Sequence, residues 1–145
     1  MKSFLLKLSL FFSVIALGLY PLDYLISKSL VSSKYYASGE ISTWKDIYAG
    51  QIKSDLVIYG SSRAWVHISP KIIDDSLHLN TYNLGVNGHN FKMQYFRHKE
   101  FLKYNQKPKH IILSVDIYSF KQQDALYNYE QFLPFLLYNK DIRNF

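Results

Sequence analysis

Asp55–Pro70 reads DLVIYGSSRAWVHISP, and this stretch decides the fold. Leu56-Val57-Ile58-Tyr59 is an apolar run, too short for a helix and rich in strand-forming side chains. Gly60 breaks the run, and two serines and an arginine follow. Ser69 suits an N-cap and Pro70 the first position of a helix. The order is strand, tight polar turn, helix. In an open parallel α/β sheet, ligands and chemistry collect in the loop that leaves the carboxyl end of a strand. A serine on such a turn is exposed and can be aimed at a substrate. Taken alone, a glycine and two serines also simply make a turn.

Working outward, Thr81-Tyr82-Asn83-Leu84 predicts a second strand. It runs into Gly85-Val86-Asn87-Gly88-His89-Asn90, a loop able to hold unusual backbone angles. A helix is predicted over Phe91–Asn105 with Asn90 as N-cap. Phe91, Tyr95 and Leu102 recur at helical spacing, with Phe101 nearby, and Lys92, Arg97, Lys99 and Lys103 lie mostly elsewhere. His110–Asp116 is the third strand. A helix of about two turns starting at Pro70 lies between the first two strands. This β-α-β-α-β order with short connections implies parallel strands and right-handed crossovers. The fold class is therefore α/β, expected as an incomplete three-layer sandwich on a parallel sheet. Ala125–Phe132 is expected to be helical, with Pro134 interrupting.

Upstream, Phe4–Ile26 is almost continuously apolar and about as long as a bilayer-spanning helix. Lys2 and Lys7 at its start favour a cytoplasmic amino end. We read it as an uncleaved anchor, with the rest of the chain facing the periplasm or the exterior. A cleaved signal peptide and a buried core helix are the competing readings. Pro21 and Asp23 weaken the far end of the span. The expected divisions are an anchor over 1–27, a connector over 28–52 and an α/β domain over 53–145. Trp44–Tyr48 reads as a short helix in the connector. Tyr35, Tyr36 and Trp44 suit either the membrane interface or the domain.

The 145 residues are 48% hydrophobic and 17% aromatic, too apolar for a disordered chain. The net charge is +6, but the lysines are scattered and no nucleic-acid motif is present. There is no cysteine, which excludes disulfides, thiolate metal sites and a cysteine nucleophile. No pair of histidines has metal-ligand spacing on one helix, and no cofactor motif appears.

At Gly60-Ser61-Ser62 the chain resembles the first sequence block of the SGNH/GDSL hydrolases. The variant Gly-Ser-Ser-Arg followed by Ile-x-Pro resembles the membrane-tethered members associated with cell-envelope polymers. The resemblance covers about Asp55–Phe120 and rests on short motifs. It implies a flavodoxin-like α/β domain in which Ser62 is the nucleophile. Gly88, with the Ser62 amide, is the implied oxyanion donor, and Asn87 is a further candidate. Ser61, Arg63, His67, Asn90 and Tyr118 are candidate substrate contacts. Where the family carries an asparagine donor after the third strand, this chain has Asp116. Asp116 is expected either to support the serine turn, to pair with Arg63, or to cap the strand end.

The family's late Asp-x-x-His is missing, since His110 is the last histidine. His67 and His89 are the histidines nearest Ser62 in sequence, and neither matches the family's base. An unactivated serine is a poor nucleophile. The sequence is accordingly expected to be the amino-terminal part of a longer protein or a truncated gene product, with little or no hydrolase activity. The first functional expectation is a membrane-anchored serine esterase or acyltransferase acting on O-acyl groups of an envelope or extracellular polysaccharide. The alternative is a non-catalytic envelope protein that binds polymer or a partner. Nucleotide or phosphate binding at the Gly60–Arg63 turn is a third reading, supported only by the helix start.

Overall fold

A computed structural model of the chain describes residues 2–33, 42–122 and 128–145. In chain order the elements are α1 (Lys2–Ser32), α2 (Ser42–Ala49), β1 (Leu56–Tyr59), α3 (Ser62–His67) and α4 (Pro70–Leu77). β2 (Thr81–Asn83), α5 (Phe91–Tyr104), β3 (His110–Leu113), a 3-10 helix (Tyr129–Phe135) and α6 (Lys140–Asn144) follow. The chain divides into two compact units. One is Met1–Ala37 with Glu130–Phe145, and the other is Ser38–Tyr129.

The second unit is α/β. Its three strands are parallel in the order β2-β1-β3. Leu56 and Ile58 of β1 pack with Ala64, Ile68, Ile73 and Leu79, which belong to α3, α4 and their flanks. Tyr59 alternates to the opposite face. Its hydroxyl lies 2.9 Å from His98 Nδ1 on α5. All four β1 residues are buried, as expected of a central parallel strand.

Two differences from the sequence reading have clear causes. First, a short helix, α3, precedes Ser69, where a simple turn is expected. Ser61 caps it, accepting from the Arg63 N–H at 3.5 Å. Ser69 keeps N-cap backbone angles but makes no side-chain capping bond. Second, α5 does not bury the face that its apolar spacing marks. Phe91, Tyr95 and Leu102 are exposed, while Arg97 and Glu100 are fully buried along with Phe96 and Phe101. The cause is α2. Trp44 stacks on Tyr48 and packs against Phe96, and the Arg97 guanidinium lies 4.6 Å from the Trp44 ring centre. Arg97 also donates to the Leu84 carbonyl at 3.1 Å. A long cationic side chain can lie along an aromatic core if its head finds acceptors.

α2 thus packs within the α/β unit. Asn105 reinforces it, donating to the Ile47 carbonyl and accepting from the Ile52 N–H. Tyr82 does so as well, donating to Asp46 Oδ2 at 2.6 Å. Trp44 takes the domain side of its two expected placements. Tyr35 and Tyr36 lie outside the described residues, as does the first part of the helix expected over Ala125–Phe132. What is described beyond it is the 3-10 helix, with Pro134 inside.

β3 is an edge strand with every residue exposed, and among the described residues no strand pairs with its outer side. Ile111, Ile112 and Leu113 carry no charge or proline to discourage pairing. The full chain in detergent is therefore expected to self-associate with rising concentration, and Ile112→Lys to reduce this. Light scattering checks the point; a monomer of constant mass across concentration would contradict it.

In the first unit, α1 runs through Pro21 without ending, five residues beyond the expected boundary of 27. It is long and apolar enough to cross a membrane, with a mean hydropathy of 1.9 over its best window, none of it buried.

Candidate functional site

The loops that leave β1, β2 and β3 meet at one end of the sheet, held by a set of specific contacts. In the first loop, Ser61 ends its extended segment at the N-cap of α3. Its hydroxyl donates to Asp116 Oδ2 at 2.5 Å, joining the first loop to the third. Asp116 is held further by the Tyr118 N–H at 2.9 Å, while its own N–H donates to Ser119 Oγ. The Ser61 hydroxyl, followed by the Tyr118 amide and the Arg63 charge, lowers the Asp116 pKa against a smaller desolvation effect. Asp116 is thus a carboxylate at neutral pH, and a charge-assisted acceptor. Arg63 acts on it through space; no ion pair forms between the two.

Two glycines let the loops approach, Gly60 the first against the third and Gly85 the second against α3. A Cβ on Gly60 would lie 2.5 Å from Ala64 Cβ and 2.8 Å from Ser114 Cβ. A Cβ on Gly85 would lie 2.6 Å from the Trp65 backbone nitrogen. Both distances are far below contact, so larger residues would push the loops apart. The Val86 N–H donates to the Gly60 carbonyl at 3.1 Å across this junction. Asn83 completes it. Its side-chain NH2 donates to the Ala64 and Ile68 carbonyls, and its Oδ1 accepts from the Gly85 N–H at 2.8 Å. One amide thereby ties the middle and the C-cap of α3 to the glycine loop. The sequence reading passes over Asn83 as a strand residue; the signal was an Asn two residues before a glycine at a strand exit.

Gly88 sits at φ +68° in the turn after Asn87, a left-handed angle that favours glycine. Asn90 caps α5 through the Met93 N–H at 3.0 Å and donates to the Lys121 carbonyl. Its amide is therefore engaged on both sides by the fold, which leaves little for a substrate. The Phe91 N–H donates to the Ser119 carbonyl, closing the ring of contacts between the second and third loops.

Ser62 is the first residue of α3 and is partly exposed, and its hydroxyl makes no hydrogen bond among the described residues. His67 is exposed at the far end of α3. His89 is 2% exposed, and neither ring nitrogen has a partner. Burial, and secondarily the charge of Arg97, hold its pKa well below the usual histidine range. Among the described residues, no imidazole is hydrogen-bonded to Ser61 or Ser62. Tyr118 is exposed beside Asp116. The arrangement thus places two hydroxyls, a carboxylate and a glycine turn together, one hydroxyl held by the carboxylate and one open. Among the described residues, no group of three or more carboxylates and histidines is arranged to hold a metal.

Compared with family models, curated proteins and solved structures, the chain matches none.

Proposed function

We propose that the chain is a membrane-anchored, SGNH-like serine esterase or acyltransferase, its sheet belonging to a three-layer α/β sandwich. On this reading α1 is a single-pass anchor and the α/β unit faces the periplasm or exterior, where O-acyl groups on polysaccharide are the substrate. Ser62 attacks the ester carbonyl, its proton passing to a base outside the described residues; the acyl group moves to Ser62 Oγ as the ester C–O bond breaks and the polysaccharide hydroxyl leaves with a proton. The Ser62 and Gly88 amides, with Asn87 nearby, stabilise the oxyanion. Asp116 holds the turn in place through Ser61. The observation that supports the reading is the meeting of three strand-exit loops beside Ser62, whose hydroxyl makes no hydrogen bond among the described residues.

The test is labelling of the full chain with a serine-reactive fluorophosphonate. The expected result is weak labelling, abolished by Ser62→Ala and retained in Ser61→Ala. Labelling that is indifferent to Ser62→Ala would overturn it. The second reading is a non-catalytic envelope protein that binds polymer or a partner at the same edge. It is favoured by the absence, among the described residues, of an imidazole bonded to either serine, since serine chemistry needs a base. Saccharide binding that survives Ser62→Ala, without labelling, is what that reading predicts.

A further inference from the structure

We propose that Glu130–Phe145 forms a collar that seats the anchor at the lipid–water interface. The inference rests on the anchor reading of α1 and is independent of the serine chemistry. Asp23 is the one carboxylate in the apolar stretch Phe4–Ile26. The Tyr138 hydroxyl donates to its Oδ2 at 3.3 Å. Tyr20 and Tyr24 lie edge-on to the same Tyr138 ring, at 6.2 and 6.3 Å. Phenol rings with one apolar and one wet end concentrate at membrane interfaces. The depth agrees. Phe4 to Tyr24 is about 30 Å along a helix, the thickness of the hydrocarbon layer. A span beginning at Phe4 therefore leaves the hydrocarbon where the three tyrosines gather.

The collar itself suits that depth. Phe132, Pro134 and Ile142 are buried, yet Leu133 and Leu137 are also apolar and stand 43% and 50% exposed. A purely water-facing segment with an inner packed side would turn polar groups outward. Its turn carbonyls are met internally, since Arg143 donates to those of Leu136 and Leu137. Asn139 accepts from the Asp141 and Ile142 N–H groups. Backbone groups near lipid need such internal partners. Between collar and anchor lies a cleft of about 280 Å³, lined by Tyr24, Ser27, Lys28, Val31, Pro134 and Tyr138. Exposed Lys28, Lys140 and Arg143 give this end cations suited to lipid phosphates.

The chain has no native cysteine, so single nitroxide labels can be placed cleanly. The full chain is reconstituted in phosphatidylcholine vesicles containing one-third phosphatidylglycerol. Labels at Leu133→Cys and Leu137→Cys, both exposed sites, are compared with Leu10→Cys on α1 and Lys71→Cys on α4. The expected result is an oxygen-to-aqueous-nickel accessibility ratio at 133 and 137 several-fold above that at 71 and below that at 10. A ratio at both collar sites equal to that at 71, with Leu10→Cys reporting hydrocarbon, overturns the collar alone. An aqueous Leu10→Cys label overturns the anchor reading as well.

Discussion

Trp44→Ala is expected to remove about 4 kcal/mol of stability from the α/β unit, among the larger costs for a single core truncation. Trp44 is fully buried. Its ring stacks on Tyr48 at 5.9 Å, packs on Phe96 at 6.0 Å and carries the Arg97 guanidinium over its face at 4.6 Å. Truncation leaves a cavity the size of an indole and strips the buried cation of its aromatic partner. Both costs have the same sign. For a unit of this size the loss corresponds to a fall in melting temperature of about 15 °C or more. The check is urea unfolding of the full chain in detergent, followed by far-UV circular dichroism. Trp44→Phe should recover a large part of the loss. Trp65→Ala is the control, because Trp65 is 40% exposed and should cost little. An unfolding midpoint for Trp44→Ala equal to that of Trp65→Ala would show that α2 does not close the core.

Mild acid is expected to destabilise the same unit through His89. The buried, neutral ring takes no proton in the folded state at a pH where the unfolded chain already does. For a histidine whose folded pKa is depressed, the unfolded state binds more protons below its own pKa of about 6.5. Stability therefore falls as pH drops below that value, at about 1.4 kcal/mol per pH unit for as long as the folded protein excludes the proton. His98, partly buried against Tyr59, is lowered by desolvation and adds a slope of the same sign. Asp116 acts in a different window. Its depressed pKa gives stability that is present above the unfolded carboxylate value and is lost only as pH falls through the folded one. His89→Leu, with His98 kept, is expected to remove most of the slope between pH 6.5 and about 5. Because neither ring nitrogen has a partner, the apolar replacement leaves no orphaned bond behind. Equal slopes for the two proteins in chemical unfolding would rule His89 out as the cause.

The strand-turn-helix at Asp55–Pro70 and the parallel β-α-β-α-β order were legible because they are local. Leu56–Tyr59 is a strand-forming run, Asn90 is an N-cap read from type and position, and Phe4–Ile26 is long and apolar on its face. The candidate serines were legible too, since a strand exit and a Gly-Ser-Ser turn are adjacent in the chain. What was not legible was which serine the carboxylate takes. Ser61 and Ser62 are equivalent in composition, and only the path of β3 brings Asp116 to Ser61 across 55 positions. The burial of Arg97 and Glu100 was hidden for the same reason. Helical spacing marked Phe91 and Tyr95 as core, but the buried face of α5 is set by a tryptophan more than forty residues upstream.

The sequence by itself determined the long apolar amino-terminal segment, the α/β class and the three loops that carry polar groups, because propensity, periodicity and turn chemistry act over a few residues. Only the tertiary structure decided that Asn83 staples α3 to the glycine loop, that Gly60 lies against Ser114 and Gly85 against α3, and that Tyr138 returns to Asp23 on α1. Those are contacts between residues far apart in the chain. Their geometry depends on how whole elements pack, and no local pattern encodes it.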